Sequence, residues 1–285
     1  MATLARSILI YANCQGEELQ QTGCAMPSLA GRLGFKWIPL HLVTGDDWSR
    51  RYGQDFMADV AVLWEQVETG PPSEHREELH RRLPGDCQIV RFPPFSALCL
   101  WPFAGNDPRL ADDPARYPWS DSVAASLATE DLPDEALFQR YLAISTERMP
   151  DLERRLRLDI ARWRASDAAS DIRLTAWVEQ RFRRIKLFHT AGHVTAAAIT
   201  FLMRQLLQRT ALIPRASLVT LHDEIDMLLR HHEGQDFESV PLHPLVAERL
   251  GLQFHDPNAL YRWHGHQWSF REYILRYIHW APYLG

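Results

Sequence analysis

The stretch Ser7-Ile8-Leu9-Ile10-Tyr11-Ala12-Asn13-Cys14-Gln15-Gly16 decides how the chain is read. Six β-favouring or small residues give way abruptly to polar groups and a glycine, the pattern of a buried strand ending in a tight turn. Glu17-Glu18-Leu19-Gln20-Gln21 follows with helix-forming composition, its acids in the first turn where the helix dipole favours them. A strand–turn–helix junction presents backbone N–H groups at the helix start, where anions and oxyanions bind. Cys14 sits in that turn, where the dipole can lower a thiol's pKa, and Asn13 and Gln15 bring side-chain amides beside it. The competing reading is packing, since free cysteine is among the most buried residue types.

Further strands flank this one. Gly34 to Leu40 has strand composition and is stopped by Pro39, and Ala58 to Trp64 is apolar on both faces, as central parallel strands are. Pro72 introduces a helix over Ser73–Leu83, and Gln88-Ile89-Val90-Arg91-Phe92 is the next strand. Strands alternating with helices imply an α/β fold with a parallel-type sheet and flanking helices over roughly the first hundred residues. Ligands bind outside the carboxyl ends of such strands, and Cys14 and Arg91 both fall at or near strand ends.

Proline- and aspartate-rich chain from Asn106 to Trp119 marks a soft boundary, giving an α/β half over residues 1–110 and a mainly α-helical half over 120–285, within one compact structural unit. Leu152, Leu156, Ile160 and Trp163 fall at helical spacing among arginines, the pattern of a solvated basic face. Asp171 is placed to N-cap a helix through Val178 and Phe182. After Arg183-Arg184-Ile185-Lys186 the pattern breaks at His189 to His193, and Val194–Leu212 reads as a long apolar helix, expected to be the most buried. His193 lies beside its start, where an imidazole is kept neutral, the form a general base needs. Packing competes here too, with His189 and His193 satisfying backbone groups at a buried helix entry. Pro244 can open a helix ending at Gly251, and Ser269-Phe270-Arg271-Glu272 has capping-box spacing before a closing helix.

Composition narrows the function. The chain has 285 residues, 46% hydrophobic and 24% charged, ordinary values for a soluble globular protein. A net charge of −5 offers no footprint for nucleic acid, so any anion site must be local. No run approaches the roughly 18 apolar residues of a membrane span, and Met1 to Arg6 lacks a signal-peptide core. Cys14, Cys24, Cys87 and Cys99 form no CxxC pair, which suits a reduced, cytoplasmic protein. The later histidines, His231, His232, His243, His255, His264 and His266, lack the spacing of a metal site, and none is expected.

Taken in order, several stretches resemble the WcbI-type acetyltransferase family of bacterial capsular polysaccharide biosynthesis. They are the strand with Asn13-Cys14-Gln15-Gly16, then Arg91-Phe92-Pro93-Pro94-Phe95 with Trp101-Pro102, and then Arg184 to Thr190 with His193. His243-Pro244-Leu245-Val246-Ala247 with Leu250-Gly251-Leu252 and the Phe270–Ile278 end complete the set. The resemblance spans nearly the whole chain, and the ordered set is more specific than any piece. It implies a coenzyme A-binding protein that moves an acetyl group from acetyl-CoA to a sugar hydroxyl. Ala12 stands where the family has glycine, and Ala191-Gly192-His193-Val194 replaces an expected Asn-His-Pro, departures that bear on substrate detail more than on the chemistry.

The chemistry expected is acyl transfer from a thioester. Cys14 is the candidate nucleophile, or it shapes the pocket while His193 deprotonates the sugar hydroxyl. Turn N–H groups, with Asn13 or Gln15, are candidates for holding the oxyanion. Arg183, Arg184 and Lys186 are candidates for the coenzyme's phosphates, with Arg91 a second choice, and Gly16 and His189 complete the cofactor-binding set. Two other classes remain open: a cysteine-dependent, esterase- or thioesterase-like hydrolase, and a non-catalytic coenzyme- or nucleotide-binding protein. The acceptor sugar and the oligomeric state are not legible.

Overall fold

A computed structural model describes residues 6–68, 73–105, 107–112, 117, 119–263 and 265–281. Pro72, His264 and much of the Asn106–Trp119 loop, all singled out in the sequence, lie outside the described residues. The chain divides into two compact units that interleave along the sequence: the first holds 1–95, 162–177 and 194–235, and the second holds 96–161, 178–193 and 236–285.

The first unit is built on a parallel sheet of β1 (Arg6–Ala12), β2 (Leu33–Pro39), β3 (Val60–Gln66) and β4 (Gln88–Phe92), in the order β2-β1-β3-β4. After β1 the chain builds outward on one side, then crosses back to place β3 on the other. Ligands of parallel sheets bind at such a reversal, outside the carboxyl ends of the strands, here β1 and β3. Both central strands are nearly continuous apolar runs because both faces are covered. Leu9, Tyr11 and Leu63 pack on one face with Ile38, Trp48, Met57 and Leu79. On the other, Phe35 meets Trp64 edge-on, and Trp64 donates its indole N–H to Thr210 just beyond the helix Ala196–Arg209.

The helix α1 (Gln15–Ala25) follows β1 as expected, and Glu74–Arg82 forms a helix capped by Ser73, whose hydroxyl accepts the Arg76 N–H. Asp171 does not cap the following helix. Its carboxylate accepts the Arg91 N–H at 2.7 Å, and the helix begins at Thr175, where Asp167 accepts the N–H groups of Leu174 and Thr175. A tertiary partner on β4 thus won over the local capping role.

The second unit is mainly helical. Asp134–Glu147 and the closing helix Phe270–Ile278 enclose an aromatic core with Tyr117, Tyr141, Trp263, Tyr273 and Tyr277. Pro244–Leu250 ends on Gly251 at φ 62°, and Ser269 with Glu272 forms the capping box. Asn106–Trp119, expected as loop, contains a helical turn at Arg109–Asp112. Ala196–Arg209 is not the most buried helix: six of its 14 residues are buried, against five of nine in Phe270–Ile278, which is wrapped by aromatic rings.

Candidate active site at the end of the first strand

Cys14 is the N-cap residue of α1, immediately beyond β1. A web of amides fixes the turn around it. Asn13 donates its N–H to the Gln66 side-chain oxygen at the end of β3, and its own side-chain oxygen accepts the Gln15 N–H at 3.0 Å. Gln66 in turn donates to the Gln15 side chain. Gln15 is fully buried, and its amide pairs with both backbone groups of Phe95, donating at 2.7 Å and accepting at 3.2 Å. Gln15 therefore positions the turn, and its side chain is aimed at the protein interior.

Gly16 is required for close approach. A Cβ there would lie 2.7 Å from the Trp37 indole and 2.9 Å from the Ala12 side chain. The first-turn N–H groups expected to receive an oxyanion already have partners. Gln15 donates to the Asn13 side chain, Gly16 to the Asn13 carbonyl at 2.8 Å, and Glu17 to the Cys14 carbonyl at 3.3 Å. The Asn13 side-chain nitrogen, by contrast, makes no hydrogen bond among the described residues.

The thiol also departs from expectation. Burial pushes the Cys14 pKa above its ordinary value of 9.0, outweighing hydrogen bonds from the Gln235 side chain and from the Cys14 and Gln15 N–H groups, which pull it down. Desolvation disfavours the thiolate more than the helix end favours it.

Gln235 is the residue that sequence reasoning missed. It is 1% exposed, its side-chain oxygen accepts the Val194 N–H, and its own N–H bonds the Val194 carbonyl. The same side chain stands near enough to the Cys14 thiol to pull its pKa down. Gly234, at φ 78°, makes this possible, because a Cβ there would stand 2.5 Å from the Val194 carbonyl. The positive φ enforces the glycine, and the Gly-Gln pair was the available signal.

Arg91 lies elsewhere. It pairs in register with Glu65, so it shares the Glu65 face of the sheet, and Gln66 points to the other. Its guanidinium bonds the fully buried Glu65, which also holds Arg76 and His80. Burial pushes the Glu65 carboxyl up, but the bonds from Arg76 and His80 bring it below the usual carboxylate range.

In the second unit, the ring of His193 is buried between Trp119 and Phe237, with centroids 5.3 and 4.9 Å away. Its backbone pairs with that of His189, whose carbonyl accepts the Val240 N–H. The helix beyond begins at Ala196, with Thr195 as its N-cap, so His193 precedes the helix end rather than occupying it. Arg183 binds the Leu250 carbonyl at the end of its helix and ion-pairs with Glu153. Lys186 lines a small cleft with Trp101, Phe188 and His255. Arg184 is exposed and makes no side-chain bond among the described residues.

No group of three or more potential metal ligands is found among the described residues, and none of their helices is long and apolar enough to cross a membrane. No curated protein matches the chain. A solved structure does, with 17% identity over 96% of this chain and 89% of that one and a TM-score of 0.74. That protein is described as WcbI, a novel polysaccharide biosynthesis enzyme, in its native form without a disulfide bond between coenzyme A and the cysteine numbered 14 there. The likeness shows a shared fold. The family described as polysaccharide biosynthesis enzyme WcbI matches residues 7–215, and the chain belongs to that family.

Proposed function

We propose that this protein binds coenzyme A and transfers an acetyl group from acetyl-CoA to a sugar hydroxyl in the making of a bacterial capsular polysaccharide. One observation carries the reading: a partly exposed Cys14 stands at the point where the strand order reverses, in a turn whose amides fix its position. A ligand crevice is expected there, and the solved structure's description names coenzyme A together with a cysteine, as a disulfide that its native form lacks.

The coenzyme supplies the thioester. The raised thiol pKa supports a direct route. On this route Cys14 stays protonated, and a general base takes the proton from the sugar hydroxyl as its oxygen attacks the carbonyl carbon, the role for which His193 is the candidate. Asn13 donates its side-chain N–H to the oxyanion that forms. When the tetrahedral adduct collapses, the carbon–sulfur bond breaks and the same base returns its proton to the leaving sulfur. Among the basic residues considered for the phosphates, Arg184 has an uncommitted guanidinium, whereas Arg183 and Arg91 are held by Glu153 and Glu65. A covalent route through an acetylated Cys14 requires a base to deprotonate the thiol first.

The test is thiol release from acetyl-CoA with and without sugar acceptors, alongside the thermal midpoint with millimolar coenzyme A. Acceptor-dependent release with a raised midpoint is expected. Release without any sugar would make the protein a hydrolase, and stabilisation without turnover would make it a binding module. An unchanged midpoint with silent calorimetry would remove the coenzyme altogether.

A further inference from the structure

We propose that the first unit carries a second ligand site, for a sugar bearing a phosphate or carboxylate, at the end of the sheet opposite Cys14. A cavity of ≈ 590 Å³ opens there, within the range of small-molecule sites. It lies where β1 and β2 begin, with Arg6 and Leu33 in its wall, whereas Cys14 follows the other end of β1. Seven residues of strand separate the two ends by roughly 20 Å.

The wall is suited to such a ligand. Arg6 and Arg32 both line the cavity, and neither guanidinium makes an ion pair or hydrogen bond among the described residues. Two arginines around one concavity without a carboxylate between them create a local positive potential in a chain whose net charge is −5. Their forks match phosphate or carboxylate oxygens. Ser217 and Thr220 add hydroxyl groups with no hydrogen bond among the described residues, and Leu212 and Pro214 offer apolar surface to the C–H faces of a sugar ring. Glu224, one turn beyond Thr220, has its carboxylate bound by the N–H and hydroxyl of Ser28 and is not part of the wall.

Calorimetry on the full chain tests the site with glucose 6-phosphate, glucuronate and neutral glucose, each with and without saturating coenzyme A. At least one of the two anions is expected to bind with a sub-millimolar Kd where glucose does not, and their ranking separates phosphate from carboxylate. The R6A/R32A variant should weaken that binding by about tenfold or more, the loss of charge-assisted bonds. Thr220→Glu, which places a carboxylate at the cavity from an exposed helix position, should do the same if the arginine variant fails to fold. Absence of binding by both anions, equal binding of glucose, unchanged affinity in a folded variant, or displacement by coenzyme A would each overturn the proposal. None of these readouts depends on acetyl transfer, so failure here is distinct from failure of the function proposed for Cys14.

Discussion

Cys14 and Gln235 show what a single side chain can change. Burial raises the thiol's pKa, and the Gln235 amide is the largest of the effects that lower it. Gln235→Leu removes that donor and leaves the buried Val194 N–H without its side-chain acceptor. The alkylation midpoint of Cys14, followed by mass spectrometry of its own peptide because Cys24 is exposed, should move to higher pH. Stability should fall by about 1–3 kcal/mol for the unsatisfied N–H. A midpoint that stays put would mean that Gln235 does not govern the thiol. Cys14→Ser then separates the two routes: turnover nearly intact supports direct transfer, and a steep loss with the fold retained supports an acetylated cysteine. Asn13 to Gly16 could be found in the sequence because strand, turn and helix start are adjacent. Gln66 could not, and Gln235 only through the glycine before it, since a glutamine distant in sequence has no periodicity and acquires its role from the fold.

Elements succeed or fail through the residues at their ends. α1 can approach β2 only because position 16 has no side chain, so Gly16→Ala must displace the Trp37 indole, which donates to the Ala12 carbonyl. Denaturant unfolding should record a loss of about 1–3 kcal/mol, the usual range for overpacking. The caps at Gly251 and Ser269 were legible because their signals are local, whereas Asp171 was misread because its partner, the Arg91 N–H, is 80 residues away. His243 caps the helix Pro244–Leu250 by accepting the Leu245 N–H, and its other nitrogen meets Ser145 at 2.9 Å. Burial lowers its pKa from 6.5 to about 4. Its contribution is therefore complete above pH 6.5 and is lost as pH falls toward 4, because the unfolded chain takes up the proton first. Unfolding free energy should drop by up to about 3 kcal/mol across that window from this group. His243→Asn, which keeps a capping oxygen, should flatten the slope, and an unchanged slope would assign it to other groups.

At the scale of the whole molecule, the parallel sheet was legible because its strands are continuous apolar runs, but membership of the two units was not. Residues 162–177 and 194–235 belong with the sheet, and nothing in their helical periodicity records which surface they cover. The same packing buries thiols across the molecule. Burial raises the pKa of Cys87 from 9.0 to about 11 and lifts that of Cys99 further, with the neighbouring Asp159 adding to it, while Cys14 is raised as well. Each thiol keeps its proton longer in the folded chain than in the unfolded one. Their contribution is present in full below pH 9 and is lost progressively as pH rises, because the unfolded chain ionises first. Cys87 alone should remove about 2 kcal/mol between pH 9 and 11. Lysine and tyrosine titration overlaps this window, so the measurement is a difference: unfolding free energy against pH for the native chain and for Cys87→Ala, each referred to its own value at pH 7. The variant should lose less on going to pH 11, and identical slopes would show that Cys87 reaches solvent and ionises in the folded state.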